Sequence, residues 1–149
     1  MSSLIADLCD AMVTSLNGAS LSQTFTAQRL YQVRYTESEL STLRVSVTPG
    51  PAQWNTVARD VDDRQVDVDV AVQKKLPAQY DNDDVDALLV LVEEIVEHFR
   101  QAALSAGSIN VICMERALVP GADSAVAREH LEDHRAFTGV IRTTWRARQ

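Results

Sequence analysis

Apolar side chains recur at spacings of three and four through residues 3–16, at Leu4, Ile5, Leu8, Cys9, Met12, Val13 and Leu16. That period predicts an opening helix with one buried face. Asn17-Gly18 is expected to end it, since glycine readily takes the left-handed cap conformation. From residue 64 to 74 the period changes to two. Val66, Val68, Val70 and Val72 fall on one side, and Asp67, Asp69, Ala71 and Gln73 on the other. A strand with its valines on the core of an antiparallel sheet is predicted.

Residues 83–103 return to the helical period and predict the main helix. Val85, Leu88, Leu89, Val92, Val96, Phe99 and Ala103 form its stripe, and Gly107 is the expected stop. Asp83, Asp84 and Asp86 crowd the start, where they complement the helix dipole. Leu91, Ile95 and Ala102 lie beside the stripe and widen the apolar arc to roughly 160°, where a helix on one sheet needs about 100°. The extra flank is expected to meet the opening helix, with a neighbouring subunit as the alternative.

Weaker patterns complete the outline. Residues 24–35 mix β-branched and aromatic residues and read as a strand, and 37–40 as a helical turn with Thr36 as N-cap. Leu43, Val45 and Val47 alternate until Pro49-Gly50-Pro51, which is expected to break that strand. Residues 52–63, with Trp54, read as an excursion from the sheet. A strand over 108–119 stops at Pro120-Gly121, a short helix covers 123–131, and a last strand covers 137–146. No repeat or composition shift divides the chain. The prediction is one α+β domain over residues 1–149: a single mostly antiparallel sheet of about five strands, with the long helix and the N-terminal helix packed on one face.

Composition agrees with a packed domain, at 46% hydrophobic and 23% charged residues. The longest apolar run, residues 87–92, stops at Glu93, far short of the ~20 residues that span a bilayer. Asp7 and Asp10 interrupt the amino terminus before any signal-peptide core forms, so synthesis in the cytoplasm and no membrane partner are expected. Cys9 and Cys113 sit far apart in apolar stretches, as buried free thiols do.

Charge adds an asymmetry. The net charge of −7 argues against duplex affinity. Asp60, Asp62, Asp63, Asp67 and Asp69 form one acidic cluster, and Asp81, Asp83, Asp84 and Asp86 a second. After Asp133 the sign reverses, with Arg135, Arg142, Arg146 and Arg148 and no acid. Solvated faces explain such segregation, and so does head-to-tail contact between copies of one chain.

Candidate chemistry is sparse. His130-Leu131-Glu132-Asp133-His134 misplaces the glutamate of the His-Glu-x-x-His zinc pattern. The run 81–86 opens like a calcium loop but has Asp86 where glycine belongs and Val92 where the bidentate glutamate belongs, so helix capping explains its acids better. Asp62, Asp63, Asp67 and Asp69 read as a solvated strand face before a loose cation site. No phosphate loop, dinucleotide fingerprint or nucleophile elbow is present. No catalytic, cofactor-binding or metal-ligating residue is therefore assigned.

Taken in order, the pieces resemble the tail-terminator (tail-completion) proteins of long-tailed bacteriophages. After the opening helix come Gln28-Arg29-Leu30-Tyr31 to Arg34-Tyr35, the acidic turn Glu37-Ser38-Glu39-Leu40, and Leu43-Arg44-Val45-Ser46-Val47-Thr48-Pro49. A loop arginine, Arg59, precedes the valine strand that ends in Lys74 and Lys75. Asp84-Val85-Asp86-Ala87-Leu88 leads into Leu91-Val92-Glu93-Glu94-Ile95, and Ala136-Phe137 opens a strand with Val140, Ile141 and Thr143. The likeness spans nearly the whole chain as a pattern of residue types.

The resemblance implies a structural, non-catalytic protein of the virion tail, assembled in the host cytoplasm. Such proteins form a ring, usually a homohexamer, on the end of the tail tube, stop its polymerisation and offer a surface for joining the head. The implied partners are copies of itself, the tail-tube protein and the head–tail connector, with genomic DNA only passing through the lumen and no cofactor. Asp67, Asp69, Arg142 and Arg146 are the candidate inter-subunit or lumen-facing residues. Trp54, Arg59, Lys74 and Lys75 are the candidate contacts to tube or connector, with the 49–51 and 75–83 segments as the exposed loops. The alternatives are another neck or head–tail completion protein, or a small cytoplasmic enzyme or ligand-binding dimer with a pocket near Trp54 or the His130/His134 face.

Overall fold

The computed structural model describes residues 3–119 and 126–148. Ser3 caps α1 (Leu4–Asn17), its hydroxyl accepting from the Ala6 amide at 3.3 Å. Leu8, Cys9, Met12 and Leu16 are its buried face. Gly18 ends the helix at φ −86°, in the right-handed region, so no left-handed glycine cap forms. The Asn17 side chain closes the end instead. Its amide donates to the Ala27 carbonyl at 3.3 Å and its carbonyl accepts from the Ala27 amide at 2.7 Å, which fixes the start of β1.

Among the described residues, six strands form one mixed sheet in the order β1-β2-β3-β6-β5-β4. They are β1 (Ala27–Arg29), β2 (Arg44–Ala58), β3 (Val61–Lys75), β4 (Ala103–Ala106), β5 (Ile109–Leu118) and β6 (Ala136–Arg148). Only β1, beside β2, runs parallel to its neighbour. β1 is much shorter than the strand expected over 24–35, because the chain leaves the sheet after Leu30. The helical turn follows as a 3-10 turn, Glu39–Ser41. Its N-cap position is Ser38, without a side-chain cap bond, and not Thr36 as expected. Thr36 instead braces the approach, its hydroxyl accepting from the Glu39 amide while the Glu39 carboxylate accepts from the Thr36 amide, both at 3.3 Å.

Pro49-Gly50-Pro51 does not break β2. The strand passes through as a bulge between Pro49 and Ala52, and the register with β3 resumes at Ala52↔Val66. The prolines are tolerated because β1 pairs only with Val45–Val47, leaving the outer edge of β2 beyond it without a partner among the described residues. A Cβ on Gly50 would stand 3.1 Å from the Asp67 carbonyl oxygen, a tight contact that glycine avoids at the bulge. Residues 52–63 are consequently no excursion. They continue the β2–β3 hairpin to a turn in which Asp60 takes φ 66°.

α2 (Asn82–His98) opens with a capping box in which Asp81 and Asp84 each accept from the other's backbone amide. It ends earlier than the periodicity predicts. Phe99 caps it, Gln101 turns the chain at φ 51°, and Ala103 begins β4. Gly107, at φ 64°, lies in the two-residue β4–β5 turn rather than at a helix end. Alanines suit a helix locally, but pairing with β5 decides their state. Leu91 and Ile95, expected at the flank, are fully buried in one cluster with Leu8, Met12 and Leu16 of α1.

The core lies between the valine face of the sheet and these two helices. Val66, Val68, Val70 and Val72 are at most 2% exposed. Phe99 meets Trp145 edge to face at 5.7 Å, and the Trp145 indole N–H donates to the Thr143 hydroxyl at 2.8 Å. Thr143 in turn donates to the Val68 carbonyl at 2.8 Å, so a buried polar chain ties β6 to β3. α3 (Arg128–His134) starts later than expected; Pro120-Gly121 and residues 123–125 of the predicted helix lie outside the described residues. His130 of α3 reaches Thr138, on the opposite face of β6 from Phe137.

Candidate interaction surfaces

β3 and β6 are neighbours, so the acidic strand and the basic strand lie side by side within one chain. Asp69 stands opposite Arg142, and the guanidinium grips it through Nε to Oδ1 at 2.9 Å and Nη2 to Oδ2 at 3.2 Å. Arg146 reaches diagonally to Asp63 through the same fork, at 2.7 and 2.6 Å. Between them Thr144 donates to Asp67 at 3.0 Å. These hydrogen bonds, and the carboxylate charges behind them, raise the pKa of Arg142 and of Arg146. The complementarity expected between copies is thus largely satisfied inside each copy. The four residues come together as a ladder on the sheet face turned away from α1 and α2.

The other candidates separate. Trp54 is 50% exposed, and Val57, which the sequence reading did not single out, is 51% exposed. Val57 sits on the part of the β2–β3 hairpin beyond Asp63, where β6 no longer pairs among the described residues, so this arm has two strands only. Trp54 stands at its base, opposite Arg64, which β6 still pairs through Ala147. Arg59 adjoins the turn of the arm. Lys74 and Lys75 lie at the other end of β3, about 45 Å away along the strand. Lys75 makes a long ion pair with Glu37 at 3.8 Å.

Ile112 and Met114 on β5 were also missed, and are 49% and 54% exposed. A register irregularity between Cys113 and Glu115 leaves Met114 unpaired with β6. The apolar run 111–114 concealed this, since a continuous apolar stretch looks like burial on both faces.

His130 Nδ1 lies 2.7 Å from the Thr138 hydroxyl, beside a cavity of about 480 Å³. The His134 side chain lies outside the described residues. Cys9 and Cys113 are buried and free, and burial raises both thiol pKa values, that of Cys9 to about 11. Among the described residues no group of three or more His, Cys, Asp or Glu is placed to hold a metal ion. No helix among them is long and apolar enough to cross a membrane.

Compared with known proteins, the chain matches no family model and no curated sequence.

Proposed function

We propose that this chain is a structural subunit of a long-tailed phage tail, forming a ring that caps the tail tube, stops its polymerisation and receives the head connector. The observation that carries the reading is the arm. A two-stranded hairpin is marginal in water by itself, yet this one displays Val57 to solvent, with the half-exposed Trp54 at its base. Contact with a neighbour would bury both and steady the arm. The outer edges of β2 and β5 lie on opposite sides of the sheet and extend beyond the short strands β1 and β4. A contact joining one side to the other is head-to-tail, the kind that closes rings.

The residues take roles accordingly. Trp54 at the base of the arm and Arg59 at its turn, and Lys74 and Lys75 at the far end, give two separated regions for tube and connector. Asp67, Asp69, Arg142 and Arg146 form a nearly neutral face suited to a lumen through which DNA passes without sticking. Light scattering of the purified chain over a range of concentrations tests the proposal. A species near six subunits, or rings growing with concentration, supports it; a strict dimer throughout rejects it. Another neck protein would give no ring alone and no binding to tube ends.

A further inference from the structure

The 33–40 segment crosses the end of the sheet opposite the arm and encloses, with β3, β6 and α3, the cavity of about 480 Å³. That volume lies within the range of small-molecule sites, roughly 300–1,000 Å³. Its lining divides by chemistry. Val33, Leu40 and Ala136 are apolar, and the Tyr35 ring adds an aromatic wall. Arg44 steadies that wall: its guanidinium lies 5.6 Å from the ring centroid, and its Nε donates to the Glu39 carbonyl at 2.9 Å.

Two cations, Arg34 and Lys75, line the cavity against one acid, Glu37. Arg34 makes no ion pair among the described residues. The Lys75–Glu37 contact is long, at 3.8 Å, and the Glu37 side chain is 75% exposed. An incoming anion can therefore take over Lys75 at little cost. In a chain of net charge −7, this basic rim is a local exception.

Gln73 supplies the discriminating feature. Its side-chain nitrogen donates to the Thr138 hydroxyl at 3.4 Å, and the same hydroxyl lies 2.7 Å from His130 Nδ1. The Gln73 carbonyl oxygen is buried without a partner. A buried acceptor left unsatisfied is unfavourable, and since this oxygen has under 1 Å² of accessible surface, a small turn of the Gln73 amide presents it to a donor brought by a ligand.

We propose that this cavity binds a ligand bearing a free carboxylate next to an amide N–H and an apolar side chain, the chemistry of a peptide carboxy terminus. The carboxylate meets Lys75 and Arg34, the amide N–H donates to Gln73, and the side chain rests on Val33, Leu40 and the Tyr35 ring. The site lies at the other end of β3 from the arm and does not depend on ring formation.

Two sources carry this chemistry: the end of another protein, or a free acylated amino acid. Titration calorimetry on the full chain with N-acetyl-leucine, with an acetylated hexapeptide ending in leucine, and with the C-terminal amide of each separates them. Both acids are expected to bind, each amide at least about tenfold more weakly, as for loss of one charge-assisted contact. Tighter binding of the hexapeptide identifies a protein terminus, and equal binding a small ligand; both support the site. Lys75→Met and Gln73→Met are each expected to weaken the acid about tenfold. Independently of how those variants fold, the acid should shift the backbone NMR signals of Gln73 and Thr138 in the unaltered protein. No heat at millimolar ligand, equal affinity for acid and amide, or shifts confined elsewhere overturns the proposal, and water then fills the cavity.

Discussion

Arg142 holds Asp69 through two hydrogen bonds, 2.9 and 3.2 Å long, directly across the β3–β6 pairing. Seventy-three positions separate the two residues in sequence, yet they are immediate neighbours on one sheet face. Their charges are therefore engaged before any second copy approaches. Side-chain exposures of 40% and 24% mean that water competes for both groups. The pair sets register and neutralises the face more than it stabilises the fold.

A double-mutant cycle measures that distinction. Arg142→Met, Asp69→Asn and the double variant, unfolded in urea, should give a coupling below about 1 kcal/mol that shrinks with added salt. A coupling of several kcal/mol would make this an ion pair of the buried kind.

Thr143 should matter more than either charge. It is fully buried and links the Trp145 indole to the Val68 carbonyl. Thr143→Val removes the acceptor of the buried Trp145 indole N–H and should cost about 1–3 kcal/mol. Trp145→Ala opens the centre of the core and should cost about 3–5 kcal/mol. Urea midpoints of the two variants check the order.

Trp54→Ser should leave the unfolding midpoint unchanged to within about 0.5 kcal/mol, since the side chain is half exposed in the single chain. It should nonetheless reduce the mass measured by light scattering. An unchanged oligomer would remove the arm from the contact.

His98 should make stability fall with acid. Burial lowers its pKa below the ordinary 6.5, and its Nε2 lies 2.8 Å from the Ser15 hydroxyl. The unfolded chain then binds the proton first, so the contribution is complete above pH 6.5 and is lost as pH falls towards the folded pKa. His98→Gln should flatten the difference in stability between pH 7 and pH 5, as read from thermal midpoints. An identical slope in both proteins would assign the effect to other groups.

The thiols give the opposite sign. With its pKa raised from 9.0 to about 11, Cys9 favours the native state below pH 9 and loses that contribution as pH rises towards 11. At pH 8 both cysteines should resist a thiol-reactive dye in the native protein and react fully in denaturant. Fast native labelling would contradict their burial.

Periodicity alone located α1, β3, β5, β6 and most of α2. Each presents one strongly apolar face to the core, and a period of 3.6 or two is a local property of the chain. The alternation Val66, Val68, Val70, Val72 also separated Asp67 and Asp69 onto the opposite face, as observed. The cysteines were legible as buried thiols for the same reason.

What the sequence could not determine depended on partners distant along the chain. Proline and glycine at 49–51 signal a stop, but β3 supplies a pairing partner across the bulge and the strand continues into the arm. Ala103 fits a helix until β5 folds back to pair with it. Whether Arg142 and Arg146 await another copy or meet Asp69 and Asp63 follows from the strand order β3-β6, which no local pattern encodes. Period and composition specify which face of an element is buried. Only the packed sheet decides which elements are neighbours, and so which charges are already spoken for and which surfaces are left to bind.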